Sequence, residues 1–332
     1  MDISIVLPVY NKARYLPSLL DDLRAQTFQR FECILVDDGS ADGSGELCDR
    51  AVEQDSRFRV FHLANGGVSR ARNLGMDHAR GTYLTFIDAD DRVHPAYLQN
   101  LYECLKQSGA DLVIGSYEKV WENPSRRQKV RLPYSGLASM KTLLPSFAEI
   151  QRASGIFGYC WAKLFPRRLA QGLRFDESLK LAEDFAFYLK LYPLVRTVWF
   201  DEKPYYAYLQ AAENSSVQVH DDQIDYMAQL RINLLYRAFL TEQDAYSGKN
   251  REIVDGLLSS YVYFSLFYCP ETSFSERFAV LRELVRQERI PLQRQQGAFR
   301  KSMLCLLRLN CRPAAQGLLQ GYRLVRKIVR RK

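Results

Sequence analysis

The chain has 332 residues, 47% hydrophobic and 25% charged, proportions of a globular protein of about two domains that exclude a wholly disordered chain, a collagen-like chain and a coiled coil. The net charge of +8 sits at one end: the last 32 residues carry nine Lys and Arg and no acid, leaving 37 basic against 38 acidic side chains in the first 300. So neutral a body does not suit a nucleic-acid binder, and the basic end suits an anionic surface such as a membrane.

The first residues, MDISIVLPVYN, read as a strand and not as a signal peptide. Tyr15, Leu16, Leu19, Leu20 and Leu23 then recur at helical spacing. Phe31–Val36 is a second strand ending in Asp37-Asp38-Gly39-Ser40, with a helix over 45–54. Phe58–His62 is a third strand and 68–79 a helix. Tyr83–Ile87 is a fourth strand ending in Asp88-Ala89-Asp90-Asp91. A helix follows from Pro95, then a strand over 111–115. Strands alternating with helices at this pitch predict an α/β fold with a mainly parallel sheet covered by helices on both faces.

Between Tyr117 and Gly155 the pattern is irregular, and the basic cluster of Arg126, Arg127, Lys129 and Arg131 predicts a loop or hairpin. Tyr159–Phe165 reads as a strand, Glu183–Tyr192 as a helix, and Thr197–Phe200 and Tyr205–Tyr208 as two strands. Beyond about Gln218 the chain turns helical, with breaks at Pro270, Pro291 and Pro313. The division expected is a domain over 1–217 and a helical region over 218–332. No apolar run approaches the ~18 residues of a membrane span; Leu257–Cys269 reads as part of a buried helix. In the last helix Ala315, Leu318, Leu319, Tyr322, Val325 and Val329 share one face, and Arg323, Lys327, Arg330 and Arg331 the other. This basic amphipathic helix either packs on the body or lies on a membrane. Seven scattered cysteines without a C-x-x-C pair fit a reducing compartment.

In an open parallel sheet, ligands bind at the carboxyl ends of the strands. Three such ends are polar here: Pro8-Val9-Tyr10-Asn11, Asp37-Asp38-Gly39-Ser40 and Asp88-Ala89-Asp90-Asp91. Three carboxylates within four residues repel one another unless a hard divalent cation such as Mn²⁺ or Mg²⁺ joins them. That cation would hold a diphosphate and stabilise its departure. Asn65-Gly66-Gly67 opens a helix whose N-terminus, with Arg70 and Arg72, favours an anion. No G-x-G-x-x-G follows the first strand, and no P-loop or G-x-S-x-G is present. This argues against a dinucleotide oxidoreductase, a P-loop NTPase and an α/β hydrolase.

In order and spacing, residues 4–11, 35–40, 65–73 and 86–91, with Glu183-Asp184-Phe185, resemble the family 2 glycosyltransferases of GT-A fold. The resemblance covers roughly residues 2–210. It implies sugar transfer from a nucleotide diphosphate sugar, with inversion at the anomeric carbon. Pro8, Val9 and Tyr10 would contact the base, and Asp38 would accept a hydrogen bond from uracil. Asn65, Gly67 and Arg72 would hold the nucleotide and its diphosphate, and Asp88 with Ala89 the ribose or metal. Asp90 would ligate Mn²⁺ or Mg²⁺, with His220 completing the shell. Asp184 would be the general base, although Glu183 is its alternative. The donor or acceptor sugar would meet Asp91, Trp161, Lys163 and Glu183, Trp161 by stacking unless it packs in the core. Gln210 stands where the family often has arginine.

The sequence therefore predicts a metal-dependent enzyme that moves sugar from a UDP-sugar to a glycan. The basic end suggests a lipid-linked acceptor in surface polysaccharide assembly, with the protein cytoplasmic and peripheral on the inner face of the plasma membrane. The alternatives are a nucleotidyltransferase, which would need a Gly-rich basic loop after the first strand, and a non-catalytic binding scaffold.

Overall fold

The computed structural model describes residues 1–121, 126–210, 224–268, 270, 273–292 and 298–329. The chain forms two compact units, Met1–Gln218 and Val219–Lys332.

In the first unit, β1 (Ile3–Val9), β2 (Phe31–Asp37), β3 (Phe58–His62) and β4 (Tyr83–Phe86) run parallel in the order β3-β2-β1-β4. They are joined by α1 (Leu16–Arg24), α2 (Ser44–Gln54) and α3 (Val68–His78). Strand alternation assigns the two faces of β1. Ile3, Ile5, Leu7 and Val9 share the core with Leu16, Leu19, Leu20 and Leu23 of α1. Val6 points the other way, at Gly75 of α3, where an added Cβ would lie 2.4 Å from the valine Cγ1. Each fully buried leucine contributes roughly 1.5–3 kcal/mol.

Beyond β4 the sheet is mixed. β5 (Arg92–Val93), α4 (Tyr97–Ser108), β6 (Leu112–Trp121), β7 (Arg127–Val130), β8 (Gly136–Ser139), α5 (Met140–Leu143) and α6 (Phe147–Ser154) lead to β9 (Lys163–Pro166), α7 (Glu183–Leu191) and β10 (Thr197–Gln210). The order continues β4-β9-β6-β10-β5, with only β6 and β10 parallel among these pairs. Arg127 and Lys129 of the basic cluster lie in the hairpin strand β7, which pairs with β6. The strand expected over 159–165 is shorter, because Ala162 takes a left-handed φ of +54° and delays it to Lys163. The two strands expected over 197–208 merge into β10, which shifts register against β6 between Asp201 and Tyr206.

The second unit contains α8 (Tyr226–Glu242), α9 (Gly248–Phe267), α10 (Phe274–Gln287), α11 (Ala298–Arg308) and α12 (Arg312–Val329). Leu257–Phe267 lies within α9, as its apolar run predicts. On α12, Ala315 and Leu319 are buried, and the Tyr322 ring lies 4.3 Å from Phe299 and 5.6 Å from Phe267. Arg323 donates to the Phe267 carbonyl at 2.6 Å. Over these residues the apolar face of α12 packs within its own unit. Among the described residues no helix is long and apolar enough to cross a membrane.

Candidate functional site

The loops after β1, β2 and β3 are tied together. Asn11 takes φ +51°, its N–H donates to Ser40 Oγ at 3.0 Å, and its Oδ1 accepts from the Ala41 N–H at 2.9 Å. The Lys12 N–H reaches Ser44 Oγ at 2.8 Å. Asp38 donates its N–H to the Val9 carbonyl, and its carboxylate accepts the Gly66 and Gly67 N–H groups, all at 2.8 Å. At Gly39, φ is +74° and a Cβ would stand 2.9 Å from the Asn65 nitrogen, so only glycine fits the turn. Asp38 therefore builds the glycine turn, keeping only spare lone pairs for a base. Tyr10, 48% exposed, and the exposed Asn65 and Gly67 edge this surface, with Pro8 half-buried. Val9 and Ala89 lie in the core, so any contact they make with a nucleotide is through backbone.

The acidic turn after β4 is held by four different partners. Arg72 lies on α3, almost fully buried, and donates from Nη1 to Glu183 Oε1 at 2.7 Å and from Nη2 to Asp88 Oδ1 at 3.1 Å. Arg72, expected at the diphosphate, thus joins the acidic turn to the start of α7 through both Nη atoms. Glu183, expected at a sugar, accepts from Arg72 through Oε1. Lys12, unnoticed in the sequence, sets its ammonium 2.6 Å from Asp90. Asp91 is fully buried and accepts from the Tyr206 hydroxyl and, at 2.9 Å, from the Leu209 N–H. It is a latch to β10 and faces no sugar, and burial together with Asp90 and Asp88 lifts its pKa well above the carboxylate range. Burial also raises Asp88, against the pull of Arg72.

Asp184 is half-buried in the first turn of α7, behind Ala182 at φ +61°. Its Oδ1 accepts from the Phe185 N–H at 2.7 Å. Burial and then the adjacent Glu183 push its pKa up to about 7, outweighing Arg72 and the helix start that alone would favour ionisation. Three residues with left-handed backbone, Asn11, Ala162 and Ala182, adjoin candidate residues.

The aromatic cluster departs from expectation. Trp161 is 4% exposed, stacked on Tyr159 at 4.5 Å and on Tyr206 at 4.8 Å, with Tyr117 edge-on at 4.6 Å. Both its faces are covered, so it is core and not a sugar platform. Tyr159 in this stack is half-buried and feels the charge of Asp184. Lys163 is buried, donates to the Tyr159 carbonyl and lies 4.6 Å from the Tyr188 ring centroid. Burial drops its pKa to about 7, and it too faces no sugar. Lys12 and Tyr206 were not singled out because nothing in their neighbourhood along the chain reveals their partners 78 and 115 residues away.

Asp88 and Asp90 offer hard carboxylate oxygens, partly open at 30% and 22% side-chain exposure. That donor chemistry fits Mg²⁺ or Mn²⁺, which take one or two carboxylates and complete their shell with phosphates and water. Among the described residues no group of three or more ligands is gathered. His220 and the loop after Gln210 lie outside the described residues. A cavity of about 640 Å³ opens beside Asp90, lined in part by Tyr15, Ser18, His94, Tyr205 and Leu209.

Residues 4–169 match the model of Glycosyl transferase family 2. Glycosyltransferase GlyA of Streptococcus pneumoniae is 34% identical over 221 residues, 62% of this chain and 30% of that protein. EpsJ of Bacillus subtilis, described as a glycosyltransferase, is 35% identical over 212 residues, 62% of this chain and 60% of its own. The chain thus spans from under a third to about three fifths of the length of these relatives. Residues 1–349 of S. aureus TarS, solved in complex with UDP-GlcNAc, superpose with a TM-score of 0.65 at 19% identity, over 98% of this chain and 92% of that one. At that identity the likeness is one of fold.

Proposed function

Since the chain belongs to glycosyl transferase family 2, we propose that it transfers a sugar from a UDP-sugar to a hydroxyl of a glycan acceptor, with inversion and with a divalent metal. One observation carries this reading: Arg72 binds the acidic turn after β4 to the Glu183-Asp184 pair across 111 residues of sequence. Asp88 and Glu183 share that one guanidinium, which supports a metal-binding turn and a general base working at one site.

Inverting transfer is one displacement. The acceptor oxygen forms a bond to the anomeric carbon while the bond from that carbon to the UDP oxygen breaks and the electron pair leaves with UDP. Asp184 takes the acceptor proton at its carboxylate, and a base with a pKa of about 7 is well matched to neutral pH. Asp90, with Asp88, would hold Mn²⁺ or Mg²⁺, which supplies positive charge to the diphosphate. Tyr10, Asn65 and Gly67 form the edge on which the nucleoside would lie. The cavity beside Asp90 has room for a saccharide. TarS, of like fold, is a protein solved with UDP-GlcNAc, which supports a UDP-sugar donor.

A lipid-linked acceptor, a place in surface polysaccharide assembly and a peripheral position on the inner membrane face rest on the basic end of the chain. The test is UDP release with Mn²⁺ and a panel of UDP-sugars and glycan acceptors. Asp184→Asn is expected to lose about 10²–10⁴ in kcat while still binding UDP. Turnover at the wild-type rate would overturn the mechanism, and release of pyrophosphate would indicate nucleotidyl transfer instead.

A further inference from the structure

The amino end of the parallel strands carries a feature that the transfer reaction does not use. Antiparallel pairing of β4 with β9, Tyr83 opposite Pro166 and Leu84 opposite Phe165, sets the start of one strand beside the end of the other. The turn at 80–82 therefore meets the segment 166–174. Between them lies a cavity of about 620 Å³, which receives Arg80, Arg167, Arg168 and Arg174, with Asp77 as the lone carboxylate in its wall. Asp88–Asp91 follow the opposite end of β4, so this cavity is distinct from the candidate active site.

Two of the four guanidinium groups are held in place. Arg167 continues the ladder, its N–H bonding the Thr82 carbonyl at 2.9 Å, and its Nε donates to the Gly81 carbonyl at 2.8 Å. Arg174 is paired with Asp77 at 2.5 Å and also donates to the Leu173 carbonyl at 3.2 Å. The side chains of Arg80 and Arg168 are exposed and have no carboxylate partner among the described residues. Buried Leu84, Met76 and Ala170 form an apolar wall, which lowers the local dielectric and strengthens the field of the arginines.

We propose that this cavity is a binding site for a phosphate-bearing ligand. The wall carries four positive charges against one negative, an excess of three. A single carboxylate would leave most of that excess uncompensated, whereas a phosphate ester or diphosphate brings two or more charges and several acceptor oxygens. The arginine fork matches such oxygens in pairs. Anchoring of Arg167 and Arg174 spares the ordering cost of two side chains on binding.

The test is calorimetric titration of the full chain with pyrophosphate in metal-free buffer, comparing wild type with Arg80→Gln/Arg168→Gln. Neither side chain carries an ion pair, and UDP binding with Mn²⁺ checks that the variant is folded and that the nucleotide site is intact. Pyrophosphate is expected to bind the wild type, and to bind the variant at least about tenfold more weakly, with UDP affinity unchanged. Arg168→Glu alone should reproduce the loss. Equal affinity in wild type and variants, or no binding to the wild type, overturns the proposal. Flotation with phosphatidylglycerol against phosphatidylcholine vesicles then assigns the source. Capture by the anionic vesicles that the variant loses marks a lipid headgroup, and pyrophosphate binding without capture marks a soluble phosphate.

Discussion

A single guanidinium governs the electrostatics of the candidate active site. Arg72 is shared between Asp88 and Glu183 and lowers the proton affinity of Asp184 against burial. Arg72→Gln leaves two carboxylates close together without a counter-charge. The expected result is a loss of about 3 kcal/mol of stability, as for a broken buried ion pair, and an acid limb of the rate profile displaced to higher pH. Lysine should restore little, since one ammonium does not reproduce the fork. Asp184 itself predicts the position of that limb in the wild type: kcat should rise with pH through about 7, following ionisation of the base. The linked effect on stability has the opposite direction. The folded chain keeps a proton on Asp184 that the unfolded chain releases above about pH 4. This preference destabilises the fold progressively between about pH 4 and the raised value near 7. Asp184→Asn should therefore gain in Tm over the wild type as the pH is raised from 5 to 8, while losing activity. A Tm difference independent of pH would contradict the raised pKa.

At the scale of elements, β10 decides which candidate residues face the site. Its alternation sends Tyr206 under the acidic turn, where the hydroxyl binds Asp91 and accepts the Asp88 N–H at 3.3 Å. The same ring closes one face of Trp161. Trp161→Ala is expected to cost about 3–5 kcal/mol by opening the core, read as a fall in Tm, with acceptor KM little changed when measured below the new transition. A large KM effect in a variant of unchanged Tm would restore the sugar-stacking role. Most elements were legible in the sequence because hydrophobic period and turn residues are local signals. β1 and β3 have the bounds that their apolar runs predict, and α7 begins at Glu183. Two of the exceptions have tertiary causes. Ala162 accepts a left-handed backbone that Tyr159–Phe165 does not announce, and β10 spans a register shift that reads as a gap between two strands.

For the molecule as a whole, the basic end matters as packing as well as charge. Ala315, Leu319 and Tyr322 are used within the second unit, where Tyr322 meets Phe267 and Phe299. Deleting residues 312–332 should expose these rings, raise binding of a hydrophobic dye and lower the Tm of the second unit. An unchanged Tm would instead leave membrane contact as the main work of the helix.

By itself the sequence determined the α/β order of the first unit, the helical second unit, and the placing of Asp38, Asp88, Asp90 and Asp184 at strand and helix ends, because period, capping and turn chemistry act over a few residues. Only the tertiary structure decided which polar side chains stay open and which are spent. Asp91, Trp161, Lys163 and Glu183 look equally available along the chain, yet each is taken up by a partner from another element. Burial and pairing depend on groups brought together from distant segments, and the spacing of residues in a chain carries no record of them.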